Sequence, residues 1–69
     1  MLKVAEMIAN VQLVKTMHEM QSEGMEAYDC LMYAIDEGRE YPDALWLVTR
    51  ALKLDNEAVI ELEEMYQYR

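Results

Sequence analysis

Apolar side chains recur every three or four positions along most of the chain, which is the spacing of one face of an α-helix. The first such stretch predicts a helix over residues 2–21, with an apolar stripe that includes Val4, Val11, Val14 and Met17. A helix of this length is about 30 Å long, which is long for so short a chain. We therefore expect it either to wrap the rest of the domain or to pair with a copy of itself.

Three shorter helices are predicted after it, over residues 25–37, 42–53 and 55–67. Gly24 and Gly38 follow the first two helices of the chain, and glycine commonly ends a helix because it adopts the left-handed conformation without strain. These elements predict an all-α fold, a compact bundle of three to four helices with a long N-terminal helix. We expect one domain over all 69 residues.

Polar residues mark the expected beginnings of these helices. Ser22 is a candidate N-cap for the second helix, and Asp55 is one for the fourth. Pro42 suits the first helical position of the third helix, where its missing N–H costs nothing. Leu54 and Val59 have the spacing of a hydrophobic staple around Asp55, which predicts a sharp turn before the fourth helix.

The C-terminal part of the chain, residues 44–66, has a helix-turn-helix-like order. Its first helix begins with the apolar run 44–48, and a helix that is apolar on nearly all sides is buried or faces a second subunit. Its second helix carries four glutamates and no basic residue before Arg69, which opposes docking to phosphates. We interpret the unit as a packing motif; a transcriptional regulator that uses Arg50 and Lys53 is the weaker alternative.

Composition limits what can stabilise so small a chain. Cys30 is the only cysteine, which excludes an internal disulfide, and His18 is the only histidine, which leaves no thiol and imidazole cluster for a metal. Hydrophobic residues make up 54 % of the sequence, although the core of so short a chain is marginal. We therefore expect dense helix packing or self-association, and no metal or other cofactor.

The same few residues argue against an enzyme. His18 falls at the edge of the apolar stripe, which predicts a boundary or interface histidine. Cys30 has apolar neighbours, so a buried and inert thiol is expected there. Ser22 is the only serine, and there is no glycine-rich phosphate loop.

The formal charge of −8 is concentrated in residues 23–43, where seven carboxylates stand against Arg39 alone. Such a surface repels nucleic acids and anionic membranes and attracts basic partners. We predict a protein partner with a basic surface, and the alternative is an acidic surface that serves solubility only. The candidate contact residues are Glu23, Glu26, Asp29, Asp36, Glu37, Glu40 and Asp43, with Glu57, Glu61 and Glu64 of the fourth helix.

A second candidate surface is apolar and aromatic. Seven methionines, five tyrosines and one tryptophan are dense for this length, and tyrosine and tryptophan are enriched at protein interfaces. The candidate interface residues are Val11, Val14, Tyr41, Trp46, Tyr66 and Tyr68.

The expected location is the cytoplasm, or the host cytoplasm if a phage encodes the protein. The longest apolar run, 44–48, is too short to span a bilayer. The first residues lack the basic region and apolar run of a signal peptide. A single unpaired cysteine fits a reducing compartment.

In general character the chain is similar to small accessory proteins of bacteriophages and mobile elements, which are also tiny, acidic, methionine-rich and helical. Several of them inhibit host enzymes or defence systems. This resemblance implies an inhibitor or regulator of a host nucleic-acid-processing or defence protein that blocks it sterically and electrostatically. The carboxylates separately suggest a DNA mimic, and the alternative is an acidic domain with no special role. The alternative from another class is a self-associating structural or assembly protein, a possible homo-oligomer.

Overall fold

The computed structural model describes residues 4–68, with side chains described from Met7 onward. Four α-helices make up this part of the chain, and no strand occurs in it. They are α1 (Val4–Ser22), α2 (Ala27–Asp36), α3 (Tyr41–Leu52) and α4 (Asn56–Gln67). The predicted all-α class is confirmed, with four helices. The predicted start of the first helix at residue 2 lies outside the described residues, and α2 is shorter than predicted at both ends.

Both glycines end their helices as predicted. Gly24 has φ +90° and Gly38 has φ +99°, a region in which a side chain would be strained. After α1, the amide of Met25 donates to the carbonyl of Met20 at 3.0 Å, and Gly24 donates to Gln21. The same pair of bonds follows α2, so each of these two helix ends is closed by a Schellman motif.

The predicted helix starts are partly wrong. Ser22 is the last residue of α1, where its hydroxyl donates to the Glu19 carbonyl at 2.7 Å, so it cannot cap α2. The first turn of α2 is closed instead by Asp29, whose carboxylate accepts from the backbone amide of Glu26 at 3.0 Å. Pro42 occupies the second position of α3, because that helix begins at Tyr41.

The cap of α4 is confirmed. The carboxylate of Asp55 accepts a hydrogen bond from the amide of Ala58 at 2.8 Å, which satisfies one of the unpaired donors at the start of the helix. The turn before it contains Lys53, which has φ +54° and is the non-glycine residue with positive φ in the described chain. Three residues therefore reverse the chain between α3 and α4.

The core lies around α3, which packs against both α1 and α2, while α4 packs on α2. The sequence explains this position, because α3 presents small and branched apolar side chains on the side that faces its neighbours. The buried side chains are Leu13 and Met17 of α1, Cys30, Leu31 and Ala34 of α2, Ala44, Leu47, Val48 and Ala51 of α3, and Leu62 of α4. The radius of gyration of 11.7 Å is close to the value of about 11 Å for a compact chain of this length.

Two side-chain hydrogen bonds connect α1 to the rest of the molecule. The Nε2–H of His18 donates to the carbonyl of Ala51 at 2.7 Å, which satisfies an acceptor in the last turn of α3. The guanidinium of Arg39 donates to the side-chain oxygen of Asn10 at 2.8 Å. His18 is therefore a boundary histidine with a structural partner.

Candidate interaction surfaces

The ten candidate carboxylates are all exposed, but they do not form one patch. Glu26, the N-cap residue of α2, and Glu61 of α4 line the same groove, a space of about 270 Å³ between the two helices, together with Tyr28 and Met65. We call this the α2–α4 groove. Carboxylates that are 35 positions apart in the sequence are therefore neighbours at one groove.

Other candidate carboxylates lie elsewhere on the molecule. Glu37 lines a groove against α1 beside Lys15 and Arg39. Asp43 lines a different groove, beside Trp46. The remaining candidates are exposed without lining any of these grooves, namely Glu23, Asp29, Asp36, Glu40, Glu57 and Glu64.

Among the side chains of residues 7–68, no carboxylate forms an ion pair with a lysine or arginine. Asp29 and Asp55 accept backbone hydrogen bonds at helix starts. The described carboxylates are therefore not compensated by ion pairs within residues 7–68, and they repel one another.

Two of the aromatic candidates contact each other. The rings of Tyr41 and Tyr66 stack with centroids 4.1 Å apart and planes 13° apart, which joins the start of α3 to the end of α4. Burial raises the pKa of the Tyr41 hydroxyl above its ordinary value of 10.0, and the charge of Glu63 adds to the effect. Both rings pack against the core. Tyr68, in contrast, is 82 % exposed at the C-terminal end of the described chain.

The other three apolar candidates share one surface. Val11, Val14 and Trp46 line a groove of about 440 Å³ between α1 and α3, together with Met7. The side chain of Val11 is 66 % exposed and that of Trp46 is 57 % exposed.

Along α1 this surface continues without interruption. Met7 and Val11 also line an adjoining apolar space with Ile8, and each of these three side chains is more than half exposed. We call the surface formed by Met7, Ile8, Val11, Val14 and Trp46 the α1–α3 face. Met7 and Ile8 were not among the predicted interface residues, although they belong to the same sequence stripe as Val11 and could have been found from it.

Charged residues flank Trp46 on both sides. The guanidinium of Arg50 lies over the indole ring, with its central carbon 5.0 Å from the ring centroid, which is a cation–π contact. Asp43 lines the groove on the other side of Trp46. Along α3, Asp43 therefore lies three positions before Trp46 and Arg50 lies four positions after it, and Arg39 lines the groove on the Asp43 side.

Metal-ligating side chains do not converge in the described part of the chain, and its one thiol is buried. No three histidine, cysteine, aspartate or glutamate side chains among them converge to hold a metal ion. Cys30 is fully buried, and burial raises the pKa of its thiol above the ordinary value of 9.0, with a smaller contribution from the charge of Asp29. A buried neutral thiol is a poor nucleophile.

Comparison of the chain with protein families, curated proteins and solved structures found no match. Within the described residues, no helix combines the length and the apolar character that a membrane span requires.

Proposed function

We propose that this chain is a non-enzymatic protein-binding module that inhibits or regulates a nucleic-acid-processing or defence protein by occupying a basic groove of that protein. The α2–α4 groove is the proposed contact. The observation that carries the proposal is the meeting of Glu26 and Glu61 at this groove, on a surface whose carboxylates have no cationic partner within residues 7–68.

The chemistry of this groove suits a basic surface. Two carboxylates from different helices would attract lysine and arginine side chains, and a net charge of −8 would speed the approach of a basic partner. Tyr28 and Met65, which line the same groove, would add apolar contact area. A groove that normally holds a nucleic acid backbone is lined with such cations, so the module would compete with the nucleic acid.

The proposal is tested by capture from a bacterial lysate on immobilised protein, followed by elution in a salt gradient. We expect a nucleic-acid-binding protein that elutes at moderate salt, because exposed charge pairs are screened. DNA added before capture should compete with the module for this partner.

Two variants of equal charge localise the contact on the captured partner. Glu26→Lys combined with Glu61→Lys should weaken binding on the order of tenfold or more. The control is Asp36→Lys combined with Glu23→Lys, which reverses the same number of exposed carboxylates at positions that do not line the α2–α4 groove. Binding that is insensitive to salt, or that is reduced equally by the control, would count against the proposal.

A DNA-reading role for α3 and α4 has no comparable support. The helix that would enter the major groove, α4, exposes Glu57, Glu61, Glu63 and Glu64. Such side chains repel phosphates.

A further inference from the structure

The α1–α3 face is a large apolar surface for so small a molecule. Met7 is 51 % exposed and Ile8 is 54 % exposed, and they adjoin the more exposed Val11. Together with Trp46 they leave a few hundred Å² of apolar side chain in contact with water, the range in which an apolar patch on a monomer is commonly functional. This surface shares no residue with the α2–α4 groove.

The shape of the fold leaves this surface uncovered. The 19 residues of α1 span about 28 Å, whereas the 12 residues of α3 span about 18 Å. Among the described side chains of α1, the buried ones are Leu13, at the middle of the helix, and Met17 beyond it. Before Leu13, the side chains of Met7, Ile8 and Val11 are each more than half exposed.

We infer that a second copy of this chain covers the α1–α3 face, in a two-fold symmetric dimer. The argument is charge complementarity along α3. Asp43 and Arg50 are seven residues, or two helical turns, apart and lie on either side of Trp46. A half-turn about an axis that passes through the face near Trp46 exchanges the two ends, so Asp43 of each copy meets Arg50 of the other.

Such self-complementarity is what a two-fold interface requires, since the same patch serves both copies. Arg39 lies in the groove near Asp43, but its guanidinium is directed to Asn10. The segment 1–22 carries two lysines and two glutamates and is formally neutral, so α1 brings little charge repulsion to the interface. The acidic segment 23–43 would oppose most other arrangements of two copies.

The expected affinity is modest. A stable interface commonly buries about 800 Å² on each partner, and the exposed apolar area of this face is smaller than that. We therefore expect dissociation in the micromolar range and an equilibrium between monomer and dimer in dilute solution. The dimer would leave the α2–α4 groove of each copy open.

The first test is sedimentation velocity over a range from low micromolar to near-millimolar protein. The fluorescence of Trp46, the only tryptophan, is followed in the same samples. The wild-type chain should form a dimer as the concentration rises, and the emission of Trp46 should shift to shorter wavelength as the indole leaves water. A chain that remains monomeric throughout this range would overturn the inference.

A matched pair of variants locates the interface. Val11→Asp should raise the dissociation constant on the order of tenfold or more, because a charge is placed in the centre of the contact. Ile60→Asp makes the same kind of change at an exposed apolar residue of α4 that is outside the face, and should leave the dimer intact. Circular dichroism establishes that both variants remain helical. Equal effects of the two substitutions would count against the α1–α3 face.

Charge exchange tests the two-fold arrangement itself. Asp43→Arg places cations opposite each other in a homodimer, and Arg50→Asp places carboxylates opposite each other, so each variant alone should dimerise more weakly. An equimolar mixture of the two variants restores both pairs and should form a heterodimer. A mixture that associates no better than its components would exclude this arrangement.

The dimer and the proposed function can be tested separately, so a negative result for one does not refute the other. Charge reversal at Glu26 and Glu61 should weaken capture of the basic partner without weakening dimerisation, because these two residues line the α2–α4 groove and not the α1–α3 face. Loss of the dimer in Val11→Asp should leave partner capture by the α2–α4 groove in place.

Discussion

At the scale of single residues, burial is the main determinant of the chemical behaviour of Cys30. Its thiol is fully buried. The thiol donates a long hydrogen bond to the carbonyl of Met17, with 3.9 Å between the sulfur and the oxygen. The sequence predicted a buried and inert thiol from the apolar neighbours of Cys30, and its burial is confirmed. Burial disfavours the charged thiolate, which is the cause of the raised pKa.

This raised pKa predicts a loss of stability in alkali. Because the folded chain holds the thiol proton above the ordinary pKa of 9.0 while the unfolded chain releases it, the stabilisation is intact below pH 9.0 and is lost as pH rises through the folded pKa. The free energy of unfolding should therefore fall more steeply in the wild type than in Cys30→Ala as pH rises above about 9, by up to about 1.4 kcal/mol per pH unit. Urea titrations at a series of pH values measure both slopes, and parallel slopes would contradict the prediction.

At the scale of secondary structure elements, the turn between α3 and α4 contains a strain that its sequence did not indicate. Lys53 has φ +54° at the end of α3, and its amide donates to the carbonyl of Thr49. The two earlier helices end with glycine in this region, but here the chain uses a residue with a Cβ atom. The left-handed conformation costs such a residue about 1–2 kcal/mol.

Lys53→Gly should therefore stabilise the protein. The relief of strain exceeds the extra backbone entropy of glycine in the unfolded chain, which leaves a gain on the order of 0.5–1 kcal/mol. Lys53→Ala removes the same charge and keeps the Cβ atom, so it separates strain from electrostatics and should give no such gain. Urea unfolding of the three proteins measures the difference, and equal stability of the glycine and alanine variants would refute this explanation.

Local signals in the sequence predicted the helices and their ends better than they predicted the faces of α1. The conformation of Gly24 and the cap at Asp55 follow from a few neighbouring residues, and both are confirmed. The stripe through Val11 was recognised, but periodicity cannot tell whether Val11 or Leu13 faces the core. That choice depends on which side of α1 packs against α2 and α3. Leu13 is buried and Val11 is mostly exposed.

The candidate surfaces could be predicted in composition but not in arrangement. The exposure of Glu26 and Glu61 follows from their charge, but their meeting at one groove depends on α4 packing against α2. The stacking of Tyr41 on Tyr66 is equally a consequence of tertiary structure, since these rings are 25 positions apart in the sequence. Pairs this distant carry no periodic signal, because periodicity describes neighbours on one element only.

At the scale of the whole molecule, the net charge of −8 should oppose folding. The carboxylates of residues 7–68 have no ion pairs with lysine or arginine, so screening removes mainly repulsion. In dilute, monomeric protein at neutral pH, added sodium chloride should raise the melting temperature by a few degrees, because about 1 kcal/mol shifts it by about 4–8 °C in a chain this small. The control is the same salt series near the isoelectric point of about 4.4, where repulsion is weak and the effect should nearly vanish. A melting temperature that falls with salt at neutral pH would mean that the surface charges are arranged to attract one another. The acidic surface would then contribute to folding, and its use by a partner would lower the stability of the fold.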